Sequence, residues 1–174
     1  MTMKDDNARY GLVTRVLHWT MALLLLWQFL SAGAHLLLED TAVEKFLWAT
    51  HKPLGALLFL LAIIRGLWGL GNLSRRPASI SVPARLGHLA LYAFMIVVPG
   101  LALLRQYGSG RAFEAFGIPV FSGFEGERIS WMINAGNLLH SSLGWVLLVM
   151  MAGHIFMVFW HRRTGSDVLP RMWR

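Results

Sequence analysis

The chain has 174 residues, of which 56% are hydrophobic and only 14% are charged. Soluble domains are about a quarter charged, so this composition predicts a single-domain membrane protein, and residues 1–174 are expected to form the mature chain. The chain has no cysteine, which excludes disulfides, cysteine-bound iron–sulfur clusters and covalently attached haem. Its net charge is +7, but the basic residues cluster at the ends of apolar segments, which argues against a nucleic-acid partner.

Four apolar segments follow a polar start of 15 residues, MTMKDDNARYGLVTR. Each segment is long enough for a membrane-crossing helix, which needs about 20 residues. The segments are predicted at residues 16–37, 48–70, 85–104 and 131–160. Short loops between the first three favour antiparallel neighbours. The predicted fold is therefore an all-α membrane protein, a four-transmembrane-helix bundle; the alternative is a soluble protein with a buried helical core.

The distribution of Lys and Arg predicts the orientation of this bundle. The N-terminus, the loop after the second segment and the C-terminus share one side, which carries most of the basic residues. The opposite side carries fewer basic residues and most of the acidic ones. Because Lys and Arg accumulate on the cytoplasmic side of membrane proteins, both termini are predicted to be cytoplasmic.

The longest loop, residues 105–130, has the sequence RQYGSGRAFEAFGIPVFSGFEGERIS and is predicted to lie on the outer side. It is rich in aromatic residues, which suit the boundary between lipid and water. Either this loop lies on the membrane surface or it forms an ordered cap over the bundle. Its aromatic residues are Tyr107, Phe113, Phe116, Phe121 and Phe124.

Four histidines fall at two predicted depths. His140 and His154 are 14 residues apart in the last segment, which on a helix is about 1400° of rotation and about 21 Å of rise, so both lie on one face. His51 is predicted at the depth of His140, and His18 at the depth of His154. Two axial ligands from two helices suit one haem iron, whereas a lone membrane histidine more often bonds a neighbouring helix. The pattern predicts two bis-histidine haems.

Other polar residues lie near these depths. Arg65, 14 residues after His51, is predicted at the inner haem, where it either binds a haem propionate or extends to the lipid headgroups. Lys52 either neutralises an outer propionate, attracts an anion or is simply interfacial. His88 either serves a quinone or proton site or bonds a neighbouring helix, and His35 is predicted to be interfacial. Five glycines are predicted to allow close approach of a helix or a macrocycle: Gly55, Gly66, Gly100, Gly144 and Gly153.

Several short segments carry a resemblance to a known family. They are RVLHW at 15–19, HKPLG at 51–55 and GHLALY at 87–92, followed by His140 and His154. In this order, over about residues 10–165, the chain resembles the bacterial cytochrome b561 family. The resemblance implies a bacterial inner-membrane bundle that holds two haem b groups through the four histidines paired above. It also implies electron transfer linked to ubiquinone or a related quinone, and some members oxidise superoxide.

Two functions are compatible with this resemblance. The first is a quinone-linked oxidoreductase, a stand-alone cytochrome between an outer-face donor, with superoxide as one candidate, and the quinone pool. Outer basic side chains, including Lys52 and Arg105, would then steer the anion. The alternative is a membrane-anchoring cytochrome b subunit of a hydrogenase- or dehydrogenase-type complex, with a redox protein as its partner. Little soluble chain follows Arg163, which favours the first.

Overall fold

A computed structural model describes residues 2–173 and contains four long helices. They are α1 (Leu12–Leu37), α2 (Ala42–Gly71), α3 (Val82–Gly108) and α4 (Ser130–Arg163). Each contains one predicted apolar segment and is long and apolar enough to cross a membrane. Even α1, with 26 residues, extends about 39 Å, more than the roughly 30 Å of a bilayer core. The predicted four-helix membrane fold is confirmed.

Local sequence signals mark where the helices begin and end. The Thr41 hydroxyl accepts a hydrogen bond from the Glu44 backbone at 3.2 Å and caps α2. The Ser81 hydroxyl caps α3 in the same way through the Ala84 backbone, also at 3.2 Å. The last turn of α4 is basic and ends at Arg163, where cations complement the helix dipole.

The helices pack as two hairpins. α1 packs against α2 and α3 against α4, while contacts between α2 and α3 join the two hairpins. α1 and α4 have little direct contact along their backbones. A buried apolar core lies between the hairpins at mid-depth and is formed by Met21, Leu58, Ala62, Met95 and Leu147. Since Leu147 is seven residues from both His140 and His154, this core separates the two histidine depths.

The distribution of exposed and buried side chains is that of a protein in lipid. Large apolar residues such as Leu23, Leu138 and Val149 are exposed on the outside of the bundle, whereas the polar Thr14 and Ser31 are almost completely buried. Apolar side chains can face lipid without a cost, whereas polar groups need hydrogen-bond partners inside the protein. The bundle is therefore stabilised by internal hydrogen bonds as well as by apolar packing.

Both chain ends meet at one end of the bundle, which we call the inner end. The Tyr10 backbone donates a hydrogen bond to the Arg171 carbonyl at 3.1 Å, and the Arg171 guanidinium donates to the Ala78 carbonyl at 3.1 Å. The Trp19 ring packs edge-on against Trp173 in α5 (Pro170–Trp173). These contacts place both termini on one side, as predicted; that this side is cytoplasmic stays a prediction.

The loop at the opposite, outer end contains a β-hairpin that the sequence analysis did not predict. β1 (Phe113–Ala115) pairs antiparallel with β2 (Ile118–Phe121). Phe116 and Gly117 have positive φ angles of 54° and 78°, as a tight two-residue hairpin turn requires. The aromatic rings at the base of the hairpin pack together, with Tyr107 5.5 Å from Phe121 and 5.7 Å from Phe124 between centroids. The loop is thus ordered, and β1 contacts α2.

Candidate functional site: two histidine pairs

The structure brings together both predicted histidine pairs, one at each end of the bundle. At the outer end, the rings of His51 on α2 and His140 on α4 have centroids 6.3 Å apart. At the inner end, the rings of His18 on α1 and His154 on α4 have centroids 6.4 Å apart. Each pair joins α4 of the second hairpin to a helix of the first.

These two distances suit a metal ion between the rings. Imidazole nitrogens bind first-row transition metals at about 2.0–2.1 Å, and a ring nitrogen lies about 1.1 Å from its centroid, so two rings facing one metal are roughly 6.2–6.4 Å apart. A direct hydrogen bond would need the facing nitrogens within about 3.2 Å, and at these centroid distances they would be roughly 4 Å apart. The spacing therefore favours shared metal ligation over a helix-to-helix hydrogen bond.

The donor set distinguishes this arrangement from a protein-only metal site. Among residues 2–173 there is no group of three or more His, Cys, Asp or Glu side chains that could hold a metal ion. A structural zinc site needs four protein ligands and a catalytic one usually three. Two opposed imidazoles fit an iron whose remaining positions are filled by a macrocycle.

Hydrogen bonds fix both outer rings in the form that can bind iron. His140 Nδ1 lies 2.9 Å from the Val98 carbonyl oxygen; because a carbonyl can only accept, Nδ1 carries the proton. His51 Nδ1 lies 2.7 Å from the Ser31 hydroxyl, and Ser31 gives its own hydrogen to the Gln28 carbonyl at 2.8 Å. Ser31 therefore accepts from His51. Both rings keep an Nε2 lone pair free for a metal.

The inner pair has different neighbours. Arg65 Nη2 donates to His18 Nδ1 at 2.9 Å, and the Arg65 guanidinium lies 5.3 Å from the centre of the Tyr92 ring. The His154 ring contacts the His88 ring, with centroids 5.3 Å apart. Arg65 thus lies at the inner pair, at its predicted depth, packed inside the bundle.

The other predicted residues lie apart from the paired rings. Lys52 is exposed, and no hydrogen bond or ion pair to its ammonium group is present within residues 2–173. His35 is at the outer end, as predicted, where it bonds Glu44 at 2.8 Å and stacks on Trp48 at a centroid distance of 3.8 Å. The Trp48 ring in turn lies 4.6 Å from His51.

The sequence did not reveal the residues that orient the two outer histidine rings. Gln28 and Ser31 are three apart in the otherwise apolar stretch LLLLWQFLSAGA, and two polar residues on one helix face were the available signal. The Gln28 amide also donates to the His51 carbonyl at 3.0 Å. The Val98 contact uses a backbone carbonyl, which any residue supplies, so no side-chain pattern could reveal it.

Comparison with known proteins identifies the family of the chain. The family model described as prokaryotic cytochrome b561 matches residues 9–174. The Escherichia coli (strain K12) protein "Cytochrome b561 homolog 2" is 26% identical over 183 residues, which cover 99% of this chain and 95% of that relative. The family and the four membrane-crossing helices make this a multi-pass protein of the bacterial inner membrane, where the family's b-type haem carries electrons. With a match over nearly its whole length, the chain belongs to the prokaryotic cytochrome b561 family.

Proposed function

We propose that the protein binds two haem b groups and carries electrons from a donor at the outer face to the membrane quinone pool. The outer haem would be held by His51 and His140, the inner one by His18 and His154. The observation that carries this proposal is the equal spacing of the two pairs, 6.3 and 6.4 Å. When bound, each haem supplies the one-electron chemistry of its iron.

The protein's own part is to orient the ligands and to exclude water. Ser31 and the Val98 carbonyl hold the protons on the Nδ1 atoms of His51 and His140, which leaves Nε2 as the ligand atom. Between the two levels, buried Met21 and Leu147 keep the bundle dry. A dry interior suits electron transfer because little solvent must rearrange with each charge movement.

Two basic residues are proposed to serve the haem carboxylates or an anionic donor. Arg65 is half-buried at the inner pair, where its guanidinium can bond an inner propionate. Lys52 is exposed and adjacent to His51 in the chain, so it can serve an outer propionate or draw an anion towards the outer haem.

Superoxide is the proposed outer donor. It is a small anion that becomes oxygen by losing one electron, so it needs access and electrostatic attraction more than a shaped pocket. Basic side chains at the outer end can supply that attraction: Lys52, Arg105, Arg111 and Arg128. Two superoxide ions would provide the two electrons that reduce one quinone, which gives a superoxide oxidase activity.

The quinone, ubiquinone or a relative, is proposed to bind at the inner end beside His88. The His88 ring contacts the inner ligand His154, and its residue is exposed on the outside of α3. Reduction of a quinone consumes two protons with two electrons, and histidine is the side chain best suited to deliver protons near neutral pH. Tyr92 lies one helical turn further along α3.

The first experiment is a reduced-minus-oxidised spectrum of the purified protein with haem quantitation. We expect two b-type haems in the wild type and close to one in both His140→Ala and His154→Ala. His161→Ala, a histidine on the same helix outside both pairs, is the control and should retain two. Absence of b-type haem, or two haems in both ligand variants, would overturn the proposal.

The second experiment mixes superoxide with the oxidised protein and follows haem reduction. We expect reduction by superoxide alone, with the rate falling several-fold in Lys52→Gln at low salt and the difference vanishing at high salt. Lys45→Gln is the matched control, because Lys45 is exposed on the same helix but already paired with Asp40 at 3.5 Å. If the isolated protein accepts electrons only with a soluble dehydrogenase, the subunit alternative is correct.

A further inference from the structure

A polar cleft lies at the inner end of the bundle, between the start of the chain and the end of α2. Its volume is about 470 Å³, which is within the range of small-molecule sites. Lys4 lines it from the start of the chain, and Ser74 and Arg75 line it from the turn Leu73–Arg75 that follows α2. None of these residues belongs to the two histidine pairs or to the proposed quinone site.

The backbone of the first residues holds Lys4 at this cleft. The Leu12 backbone donates a hydrogen bond to the Thr2 carbonyl at 3.0 Å, which satisfies one of the free N–H groups at the start of α1. Gly11 packs so closely against the Lys4 backbone that an added Cβ atom would collide with it. The start of the chain is therefore folded onto α1, and it places one cation beside the end of α2.

Two cations share the cleft without a protein anion between them. Lys4 and Arg75 are both exposed, and no carboxylate within residues 2–173 forms an ion pair with either of them. The Asp5 carboxylate is already paired with Arg76, and the Asp6 carboxylate accepts hydrogen bonds from backbone groups close to it in the chain, at 2.8 and 2.7 Å. Because like charges repel each other, an anion bound between the two cations would be stabilised.

An apolar strip on α2 leads from this cleft towards the middle of the membrane. Leu60, Ile64 and Leu67 are exposed, and their spacing of four and then three residues places them on one helix face. Gly71 continues this face at the cleft, and nothing lies within 4 Å of a Cβ atom added there. From Gly71 to Leu60 the helix extends about 17 Å, close to half of the roughly 30 Å hydrocarbon core. The strip therefore has about the length of one membrane leaflet.

We propose that the cleft binds the headgroup of an anionic phospholipid, with one acyl chain along the strip of Leu60, Ile64 and Leu67. The phosphate accepts charge-assisted hydrogen bonds from Lys4 and Arg75, and the Ser74 hydroxyl is a further donor. Basic pockets at the ends of membrane helices suit such headgroups. Free phosphate would match the charges of the cleft but would make no use of the apolar strip, whereas a lipid matches both. The proposal does not depend on the number of haems.

The test is native mass spectrometry of the haem-loaded protein in detergent, mixed with equal amounts of dioleoyl phosphatidylglycerol and dioleoyl phosphatidylcholine. These lipids have the same chains but differ in headgroup charge. We expect the wild type to retain phosphatidylglycerol several-fold more than phosphatidylcholine, and Lys4→Gln and Arg75→Gln each to reduce this preference several-fold. Arg85→Gln is the matched control, because Arg85 is exposed across the same loop, near the start of α3, and should leave the preference unchanged.

Gly71→Leu distinguishes a shaped site from general attraction between a basic protein and an acidic lipid. The variant keeps every charge but fills the cleft, so it should lose the preference as Arg75→Gln does. It should fold like the wild type, because an added Cβ meets nothing within 4 Å. Inorganic phosphate, added as a competitor, should not displace the lipid. Equal retention of the two lipids, equal losses in Arg75→Gln and Arg85→Gln, an unchanged preference in Gly71→Leu or displacement by inorganic phosphate would each overturn the proposal.

Discussion

Asp5 and Tyr10 hold the first residues of the chain against the inner end of the bundle. The Asp5 carboxylate is completely shielded and accepts hydrogen bonds from the Gly11 backbone at 2.8 Å, the Thr14 hydroxyl at 2.6 Å and Arg76 at 3.0 Å. The Arg76 guanidinium also lies 5.9 Å from the centre of the Tyr10 ring. The polar start of the sequence is therefore a folded part of the inner end.

Ionisation of Tyr10 makes the stability of this part of the fold depend on pH in alkaline solution. Burial raises the pKa of the Tyr10 phenol above its ordinary value, although the Arg76 cation acts in the opposite direction. A raised pKa means that the fold favours the neutral phenol, so this stabilisation is full below about pH 10 and is lost as the pH rises through the raised value. We expect the thermal midpoint of the wild type to fall more steeply above pH 10 than that of Tyr10→Phe.

Unfolding followed by circular dichroism over a series of alkaline buffers checks this expectation. Tyr107→Phe is the control, since Tyr107 is exposed in the last turn of α3 at the outer end and its replacement should leave the wild-type slope unchanged. Equal slopes in the wild type and Tyr10→Phe would show that ionisation of Tyr10 does not affect the fold.

At the scale of elements, α3 and α4 of the second hairpin pack closely at Gly136. A Cβ atom added to Gly136 on α4 would collide with the Arg105 side chain and with the Leu101 carbonyl of α3, the latter at 2.7 Å. None of the five glycines singled out in the sequence is this confined. An added Cβ would lie 3.0 Å from Gln28 at Gly55, and at Gly66 and Gly153 it would meet nothing within 4 Å. No helix therefore lies close to Gly66 or Gly153, and the approach of a macrocycle to these two glycines stays a prediction.

Gly136→Ala should destabilise the α3–α4 hairpin. An added methyl group forces two packed backbones apart, which costs about 1–3 kcal/mol in the free energy of unfolding. Gly87→Ala on α3 is the matched control, because nothing lies within 4 Å of its added Cβ and alanine favours a helix over glycine by about 1 kcal/mol. Denaturation in detergent compares the two variants. Equal stability of both would mean that α3 and α4 can separate there without cost.

The elements were easier to predict from the sequence than the contacts between them. Long apolar runs predicted each helix, because crossing a bilayer sets a minimum length. The hairpin at 113–121 was missed, since two strands of three and four residues leave too short a pattern beside the aromatic residues. The histidine pairs followed from depth along each helix, but their hydrogen-bond partners depend on how α1 and α3 are rotated, which the sequence does not specify.

At the scale of the whole molecule, the two ends differ in charge and structure. The inner end gathers the N-terminal segment, the loop after α2 and α5, while the outer end carries the β-hairpin. The basic residues of the inner end predict that it faces the cytoplasm. This orientation places the His51–His140 pair towards the periplasm, where the proposed donor would approach.

The absence of cysteine allows a direct test of orientation. Single cysteines replace the exposed Ser122 in the outer loop and Ser166 after α4, and spheroplasts are treated with a membrane-impermeant maleimide. We expect Ser122→Cys to be labelled in intact spheroplasts and Ser166→Cys only after lysis. The reverse pattern would invert the predicted orientation and place the proposed donor site in the cytoplasm.

The division into two hairpins has a consequence for how the protein is made. Synthesis releases α1 and α2 first, with His18 and His51 already in place, whereas both of their partners are on α4, the last long helix of the chain. Neither proposed haem can therefore be fully ligated until the ribosome has almost finished. Since α1 and α4 have little contact of their own, haem would fasten the early hairpin to the late one. In cells short of haem, we expect newly made chains to stay loosely assembled and to be removed by membrane proteases.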